Sequence, residues 1–183
     1  IDLLLNESNL KANLRKSYKS LISWGLREMD IDILDKKSIS WDNMLAYRSL
    51  HIQEAGKVTR SIESWRCQYQ SIKEGSSFLV LGRFKGEIVS AGQFIISDRH
   101  CFYGFSASRR DLFPKPLFHA VMWKAILYAK ASGAIFFETG EEYIQGNPTM
   151  PAITNKVMEI AHFKAGFGGK VVFRPIISSN LMQ

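Results

Sequence analysis

The residues best suited to chemistry stand near the end of the chain, in the stretch "HFKAGFGGK" at positions 162–170. It joins Phe163 and Lys164 to three glycines, and a glycine-rich loop beside a lysine is one way to bind phosphate. A phosphate loop precedes a helix, however, whereas the spacing of apolar residues predicts a helix near 155–164, ahead of these glycines. We therefore expect Gly166 to end that helix with a positive φ, and Gly168 and Gly169 to turn the chain into "KVVF".

Other familiar catalytic motifs are missing from the sequence. Neither GxxxxGK[ST] nor GxGxxG after a first strand is present, which argues against a nucleoside-triphosphate or dinucleotide site. The stretch "GFSAS" at 104–108 lacks the last glycine of a nucleophile elbow. The histidines at 51, 100, 119 and 162 have no paired-ligand spacing, so we expect no metal site.

Hydrophobic periodicity predicts the elements that must position these residues. It favours one helix from Ser8 to Met29, a short strand at "DIDILD", two helices that break near Gly56, and three strands with short turns between 77 and 108. A helix then starts at Pro116 and stops at Gly133, with Leu117, Val121, Ala125 and Ala129 as its buried stripe. The strand "AIFFETG", the helix near 155–164 and the strand "KVVFRPII" complete the order.

This order predicts an α/β (α+β) fold with a mixed central sheet that contains an antiparallel meander and is flanked by helices. We expect residues 1–183 to form a single domain, which would be one lobe if the protein is longer. Two widely separated cysteines, Cys67 and Cys101, in patterns typical of buried residues, favour a reducing compartment, and we expect a cytoplasmic protein. No apolar run reaches the roughly 18 residues of a membrane span. The sequence does not indicate an oligomeric state.

The net charge of +7 favours an anionic partner. Lys11, Arg15 and Lys19 are spaced four residues apart on the first predicted helix, so they would form one positive stripe. Such a stripe is commonly a solvated face, but it would also serve as a rail for phosphates. One hypothesis is therefore a non-catalytic module that binds RNA or an acidic membrane surface.

The sequence also resembles a known family. Phe163-Lys164 followed by Gly-Phe-Gly is similar to the signature near the end of FemAB-type acyltransferases, which have the GNAT-like (acyl-CoA N-acyltransferase) fold. Further stretches agree: "RKSYKSLISWG" (15–25), "YRSLHIQEAGKVTRSIESW" (47–65), "YGFSASRRDLFPKPLFHAVMWKAI" (103–126) and "GAIFFETGEE" (133–142). The best-known members join an amino acid from aminoacyl-tRNA to a cell-wall precursor peptide and carry two such lobes, and this chain has room for one.

The resemblance implies an enzyme that transfers an N-acyl or aminoacyl group. In such a reaction an amine or hydroxyl attacks an acyl ester or thioester, and negative charge builds on the carbonyl oxygen. One well-aimed donor lowers that barrier by roughly 3 kcal/mol. The resemblance assigns this part to Lys164 and the positioning of the reacting ends to Phe163; the alternative is that Lys164 only complements the helix C-terminus, worth less than about 1 kcal/mol.

The attacking group must also lose a proton. Glu138 ends a predicted strand and is a candidate base, with Glu141 or Glu142 as substitutes and a structural acid as the alternative. His51 is a second candidate base, although a buried histidine bonded to backbone would explain it equally well. Tyr103, in the third meander strand, could protonate a leaving group or could be a core residue.

The donor site departs from the family pattern. Coenzyme A-dependent relatives have a Q/R-x-x-G-x-G/A loop between the meander and the next helix, whereas this sequence has "SRRDLFPKP" without glycine. We expect side chains to replace the backbone N–H groups, with Arg109, Arg110 and Lys115 as phosphate ligands and Arg60 as a further anion-binding residue. Solvated arginines are the alternative.

Two functions are thus expected from the sequence. The first is an acyltransferase that acts on an amino-sugar or peptide acceptor in cell-envelope glycan biosynthesis, with no tightly bound cofactor. Its donor would be acyl-CoA, an acyl-carrier thioester or aminoacyl-tRNA, and its partners would be a small-molecule or glycan-precursor acceptor, tRNA and the inner membrane surface. The second is the anion-binding module, in which Lys11, Arg15 and Lys19 matter and Lys164 and Glu138 do not.

Overall fold

The computed structural model describes residues 1–141 and 154–172. In this part of the chain helices and strands alternate in layers around one sheet. Their order is α1 (Glu7–Ala12), α2 (Lys16–Glu28), β1 (Asp30–Leu34), α3 (Trp41–Ala55), α4 (Ile62–Lys73), β2 (Ser77–Phe84), β3 (Glu87–Ser97), β4 (His100–Ser108), α5 (His119–Ala131), β5 (Phe136–Glu138) and α6 (Asn155–Ala165).

Polar side chains at the helix starts explain where several helices begin. The side chain of Asn6 accepts a hydrogen bond from the backbone of α1, and Ser61 and Thr154 do the same for α4 and α6. Ser40 forms a full capping box with Asn43 at the start of α3. Each cap satisfies N–H groups that have no partner inside the helix.

The five strands lie in the order β1-β2-β3-β4-β5. The first four are antiparallel neighbours, which confirms the predicted strand at 30–34 and the predicted meander. β5 pairs parallel to β4, but only over Phe136–Glu138 against His100–Phe102. β4 runs on to Ser108, so the two strands share only their first part and an opening follows, as far as the described residues show.

A β-bulge at Gly104 changes which side chains of β4 point to each face of the sheet. Phe94 pairs with Tyr103 and Gln93 pairs with Phe105, so Gly104 is the extra residue on β4. Before it, Tyr103 packs with the core under α5; after it, Phe105 packs with the core under α3 and α4. The strand's two-residue alternation therefore shifts by one, and Ser106 lies on the same face as Tyr103.

Helices cover both faces of the sheet. α2 and α5 pack together on one face, and α3 and α4 pack on the other. α2 and α5 approach so closely that a Cβ on Gly25 would lie 2.6 Å from the Cβ of Ala120. The predicted stripe of α5 is confirmed, because Leu117, Val121, Ala125 and Ala129 are all buried.

Several local predictions were wrong. The helix predicted from Ser8 to Met29 is two helices, because buried Leu14 and Arg15, whose ψ of 137° is not helical, interrupt it. The helix predicted from Pro116 begins at His119, although Gly133 does end it at φ +92°. Cys101 is buried as predicted, but Cys67 is exposed on α4. Of the last predicted strand, residues 170–172 form none and 173–177 lie outside the described residues.

Candidate active site

The glycines of "HFKAGFGGK" let the end of α6 pack closely against the connection between α1 and α2. A Cβ on Gly166 would lie 2.3 Å from the ring of Tyr18, and one on Gly168 would lie 2.7 Å from the backbone oxygen of Asn13. Gly166 is helical, at φ −66°, so the prediction of a positive φ there was wrong; Gly168 has φ +80°. Close packing of the helix end thus accounts for these glycines.

The last carbonyls of α6 are bonded by residues of α2 and its N-cap. Tyr18 Oη donates to the Phe163 carbonyl at 2.9 Å, and Arg15 Nη2 donates to the His162 carbonyl at 2.9 Å. The backbone N–H of Arg15 donates to the Gly166 carbonyl, also at 2.9 Å. Arg15 and Tyr18 therefore complement this helix end, which removes the main reason to assign that task to Lys164.

Lys164 lies instead at the opening between β4 and β5. Its Nζ is 5.6 Å from the centroid of the Tyr103 ring on β4. It also lies close to Gly140, where an added Cβ would stand 2.6 Å from Nζ, and the φ of Gly140 is +101°. The backbone conformation thus favours glycine at 140, and the ammonium lies against this glycine, just beyond the end of β5.

The ammonium faces a cleft of about 1000 Å³. Its walls come from β4, the end of α3, the β4–α5 loop, the start of α5 and one face of α6. Six of the predicted site residues line it: His51, Tyr103, Arg110, Lys115, Phe163 and Lys164. α6 contributes Lys156, Glu159, Ile160, Phe163 and Lys164, the spacing of one helical face.

Among the described residues, Tyr103 is the tyrosine that lines the cleft, and the pKa of its phenol is raised. Burial raises the pKa of Tyr103 to about 12, so the phenol is protonated at neutral pH. Its hydroxyl is hydrogen-bonded to the hydroxyl of Ser106, which the bulge at Gly104 brings to the same face. Both residues line the cleft with Lys164.

His51 and Glu54 form the wall opposite α6. His51 lies edge-on to Trp65 and Phe105, and its Nδ1 is 3.3 Å from the Thr59 hydroxyl. Burial, and then the charge of Arg60, lower the pKa of His51, which keeps the imidazole neutral at pH 7. Glu54 was not predicted; its side chain is 12% exposed and accepts a hydrogen bond from the backbone N–H of Arg110 at 3.1 Å.

The structure does not bring every predicted anion-binding residue to the cleft. Arg109 bonds Glu87 at 3.1 Å and Asp111 at 2.6 Å, and it lies outside the lining. The guanidinium of Arg60 stacks on Phe105, 4.2 Å from the ring centroid, and is likewise not in the lining.

Glu138 lies on the other side of the opening. It faces a smaller cavity of about 370 Å³, which Gly140, Glu141 and Ala165 also line. Its carboxylate is 3.2 Å from Nε2 of His100. Gly140 and Ala165 in its lining lie close to Lys164, whereas Lys164 itself lines the larger cleft. Glu142, the other substitute base, lies outside the described residues.

His119 is a cleft residue that received no role from the sequence. Its ring packs edge-on against Tyr18 and Phe163, with centroid distances of 4.6 and 5.2 Å. Burial lowers the pKa of His119 to about 4, and its Nδ1 is buried without a hydrogen-bond partner. Only its place just after Pro116, at a predicted helix start, could have signalled it.

The start of α5 gives the cleft an anion-attracting end. The helix has no side-chain cap and no acid in its first turn, so no side chain of that turn offsets its positive dipole. Arg110, Lys115 and Lys156 line the same cleft. An anionic group of a ligand would be stabilised at this end.

The described residues contain neither a metal-binding cluster nor a membrane-spanning helix. Among residues 1–141 and 154–172, no three His, Cys, Asp or Glu side chains are placed to hold a metal ion together. No helix in the same part of the chain is both long enough and apolar enough to cross a membrane.

Comparison with solved structures identifies the fold. FemX superposes with a TM-score of 0.69 at 12% sequence identity, over 91% of this chain and 57% of FemX. The chain has the FemAB-type, GNAT-like fold. The aminoglycoside N-acetyltransferase AAC(6')-Iy in complex with CoA gives 0.59 at 9% identity, over 84% of this chain and 95% of that one. The C-terminal domain of a putative lysylphosphatidylglycerol synthetase from Agrobacterium fabrum gives 0.56 at 10%, over 85% and 51%.

The chain thus spans little more than half of the FemX chain. No protein-family model matches it, and no curated protein matches it by sequence. At these low identities the likeness concerns the fold, and any activity has to be argued from the cleft itself.

Proposed function

We propose that this protein is an N-acyltransferase that moves an acyl group from a thioester to an amine. The observation that supports this is the placement of Lys164, whose ammonium is held where β4 and β5 diverge and beside the phenol of Tyr103. A fixed cation in a largely apolar cleft stabilises a carbonyl oxygen that becomes anionic, and such donors contribute roughly 3 kcal/mol each.

The reaction needs little beyond the residues of the cleft. The amine nitrogen bonds to the carbonyl carbon, and the oxygen becomes anionic beside Lys164. The carbon–sulfur bond then breaks, and sulfur leaves with the electron pair. His51, neutral because of its lowered pKa, is the base for the amine proton on the α3 side, and Glu138 is the base if the amine enters from the β5 side.

The donor is proposed to be coenzyme A-like. The uncapped start of α5 with Arg110, Lys115 and Lys156 suits phosphates, and AAC(6')-Iy was solved with CoA. The β4–α5 loop has no glycine, so side chains take over from backbone N–H groups. Acyl-carrier thioesters share this chemistry. Aminoacyl-tRNA remains the alternative donor.

The acceptor is proposed to be an amino sugar or peptide of cell-envelope glycan synthesis, used by a cytoplasmic enzyme. FemX and the lysylphosphatidylglycerol synthetase domain, which share the fold, support a role at the envelope. Because the chain spans 57% of FemX, we infer that it corresponds to one lobe of such an enzyme.

The anion-binding module is less well supported. Lys11 and Lys19 lie on different helices, and Arg15 between them is bonded to α6. The three cations therefore do not form a continuous helical stripe.

Thermal unfolding with added CoA, acetyl-CoA or total tRNA tests the proposal. A ligand that binds only the folded state raises Tm, by an amount that grows with its concentration. We expect CoA and acetyl-CoA to bind in the cleft and to raise Tm. We also expect acetyl-CoA to release its thiol when hydroxylamine is supplied as a small amine. No shift with CoA or acetyl-CoA, together with a salt-sensitive shift with tRNA, would favour the module instead.

A further inference from the structure

Ser106 shares a hydrogen bond with the phenol of Tyr103 inside the cleft. Three residues apart on a regular strand, the two side chains would point to opposite faces of the sheet. The bulge at Gly104 shifts the alternation by one and places both hydroxyls on the face towards α5 and α6. Since a β-bulge commonly re-aims a side chain next to an active site, the pair calls for a chemical explanation.

The pair keeps one proton to donate. Two hydroxyls carry two O–H protons, and their mutual hydrogen bond uses one of them. The other proton is available at whichever oxygen accepts that bond. Both residues line the cleft, and Lys164 lies over the Tyr103 ring. The available proton and the ammonium therefore face the same space.

We propose that Ser106 is a positioning residue that holds the phenol of Tyr103 for proton transfer to the leaving group. The inference rests on the proposed acyl transfer. When the carbon–sulfur bond of the thioester breaks, sulfur takes the electron pair and receives the available proton of the pair. The pair regains a proton from solvent, and the amine's surplus proton goes to the base.

The surroundings of Tyr103 explain why Ser106 would have this role. The ring of Tyr103 packs against Phe94 and Phe118, with ring centroids 5.5 and 5.7 Å away. Ser106 is the described residue that bonds it. Without that bond the phenol would remain in place, because its ring is packed. Its proton, however, would no longer be oriented by a neighbour, and the phenol would be a weaker acid.

Two donors with different leaving groups separate this role from a structural one. Thiol release from acetyl-CoA needs a proton on sulfur, whereas p-nitrophenyl acetate releases a stable phenolate that needs none. With hydroxylamine as the nucleophile, we expect Ser106→Ala to lower kcat for acetyl-CoA about tenfold with little change in KM, and to leave p-nitrophenyl acetate unaffected. Ser106→Thr should restore the rate. Equal losses with both donors would overturn the proposal.

A second readout does not depend on activity. With 3,5-difluorotyrosine at position 103, the phenol titrates at an accessible pH and is followed by fluorine NMR. Because the Ser106 hydroxyl stabilises the phenolate, we expect Ser106→Ala to raise this pKa and Ser106→Thr to return it to the starting value. An unchanged titration would refute the role of Ser106, even if acetyl-CoA proved not to be the donor. Absent thiol release with a normal titration shift would count against the proposed function alone.

Discussion

The end of α6 and the β4–α5 loop both carry cations expected at the site, but the structure holds them differently. At the end of α6, Arg15 and Tyr18 bond the helix carbonyls, and Lys164 is directed to the opening between two strands. In the loop, Arg109 is paired with Glu87 and Asp111, and Arg110, with 59% of its side chain exposed, lies at the cleft with its Nε 3.8 Å from Glu54. Packing determines the position of the cation in the first region, whereas ion pairs and exposure to solvent determine the positions of the cations in the second.

The largest effect should come from removing the ammonium that the packed region positions. Lys164→Ala should reduce acyl transfer from acetyl-CoA to hydroxylamine by about a hundredfold, because the oxyanion loses its charged donor. The matched control is Lys19→Ala, an exposed lysine on α2, which should keep the wild-type rate. Steady-state kinetics and a thermal melt of each variant measure this. Near-normal turnover in a folded Lys164→Ala protein would remove Lys164 from the mechanism.

The packed region should also make stability depend on pH. Burial lowers the pKa of His119 to about 4 in the folded state from 6.5 when unfolded, so the unfolded chain binds the proton more readily. His119 therefore stabilises the fold fully above pH 6.5, and that contribution falls as pH drops towards 4. Between pH 7 and pH 5 we expect its share of the unfolding free energy to fall by about 2 kcal/mol.

Urea unfolding at the two pH values measures this change. His119→Asn cannot titrate in this range, so its unfolding free energy should fall by about 2 kcal/mol less than that of the wild type. Parallel curves for the two proteins would show that His119 is not held neutral by the packing around Tyr18 and Phe163.

A smaller effect should follow from loosening the end of α6. Tyr18→Phe keeps the ring contacts but leaves the Phe163 carbonyl without its partner, which should cost about 1 kcal/mol of unfolding free energy. Tyr69→Phe is the control, since Tyr69 packs on Trp41 and its hydroxyl bonds none of the described residues. Denaturant midpoints compare the two. If both variants lose the same stability, the Tyr18 bond does not help to hold α6.

The sequence predicted the elements well where the pattern is local. The meander, α3, α4 and the buried stripe of α5 follow from hydrophobic period and turn residues. The break at 13–15 was missed because its cause is tertiary: Leu14 is buried and Arg15 bonds a helix that lies about 147 positions further on. The role of Gly166 was predicted wrongly for the same reason, because it is the ring of Tyr18 that leaves no room for a side chain there.

The site was predictable only in part. Family resemblance pointed to Phe163 and Lys164, and its place in the third meander strand made Tyr103 a candidate acid. The structure gathers all three in one cleft. Ser106 depends on a bulge, which shifts strand alternation and leaves no periodic signal. Glu54 was missed because its place in the wall depends on how the β4–α5 loop folds back onto α3.

The smallest effect should come from the loop, where two adjacent arginines provide an internal control. Arg110→Gln and Arg109→Gln remove the same charge, so a general electrostatic effect on CoA affinity would be equal in both. Because only Arg110 lines the cleft, we expect Arg110→Gln to weaken CoA binding about threefold, less so at high salt, and Arg109→Gln to leave Kd unchanged. Calorimetric titration at two salt concentrations decides between these. Equal weakening by both variants would mean that Arg109 leaves Glu87 and Asp111 when the donor binds, and the contrast between a packed region and a solvated one would then fail at the loop.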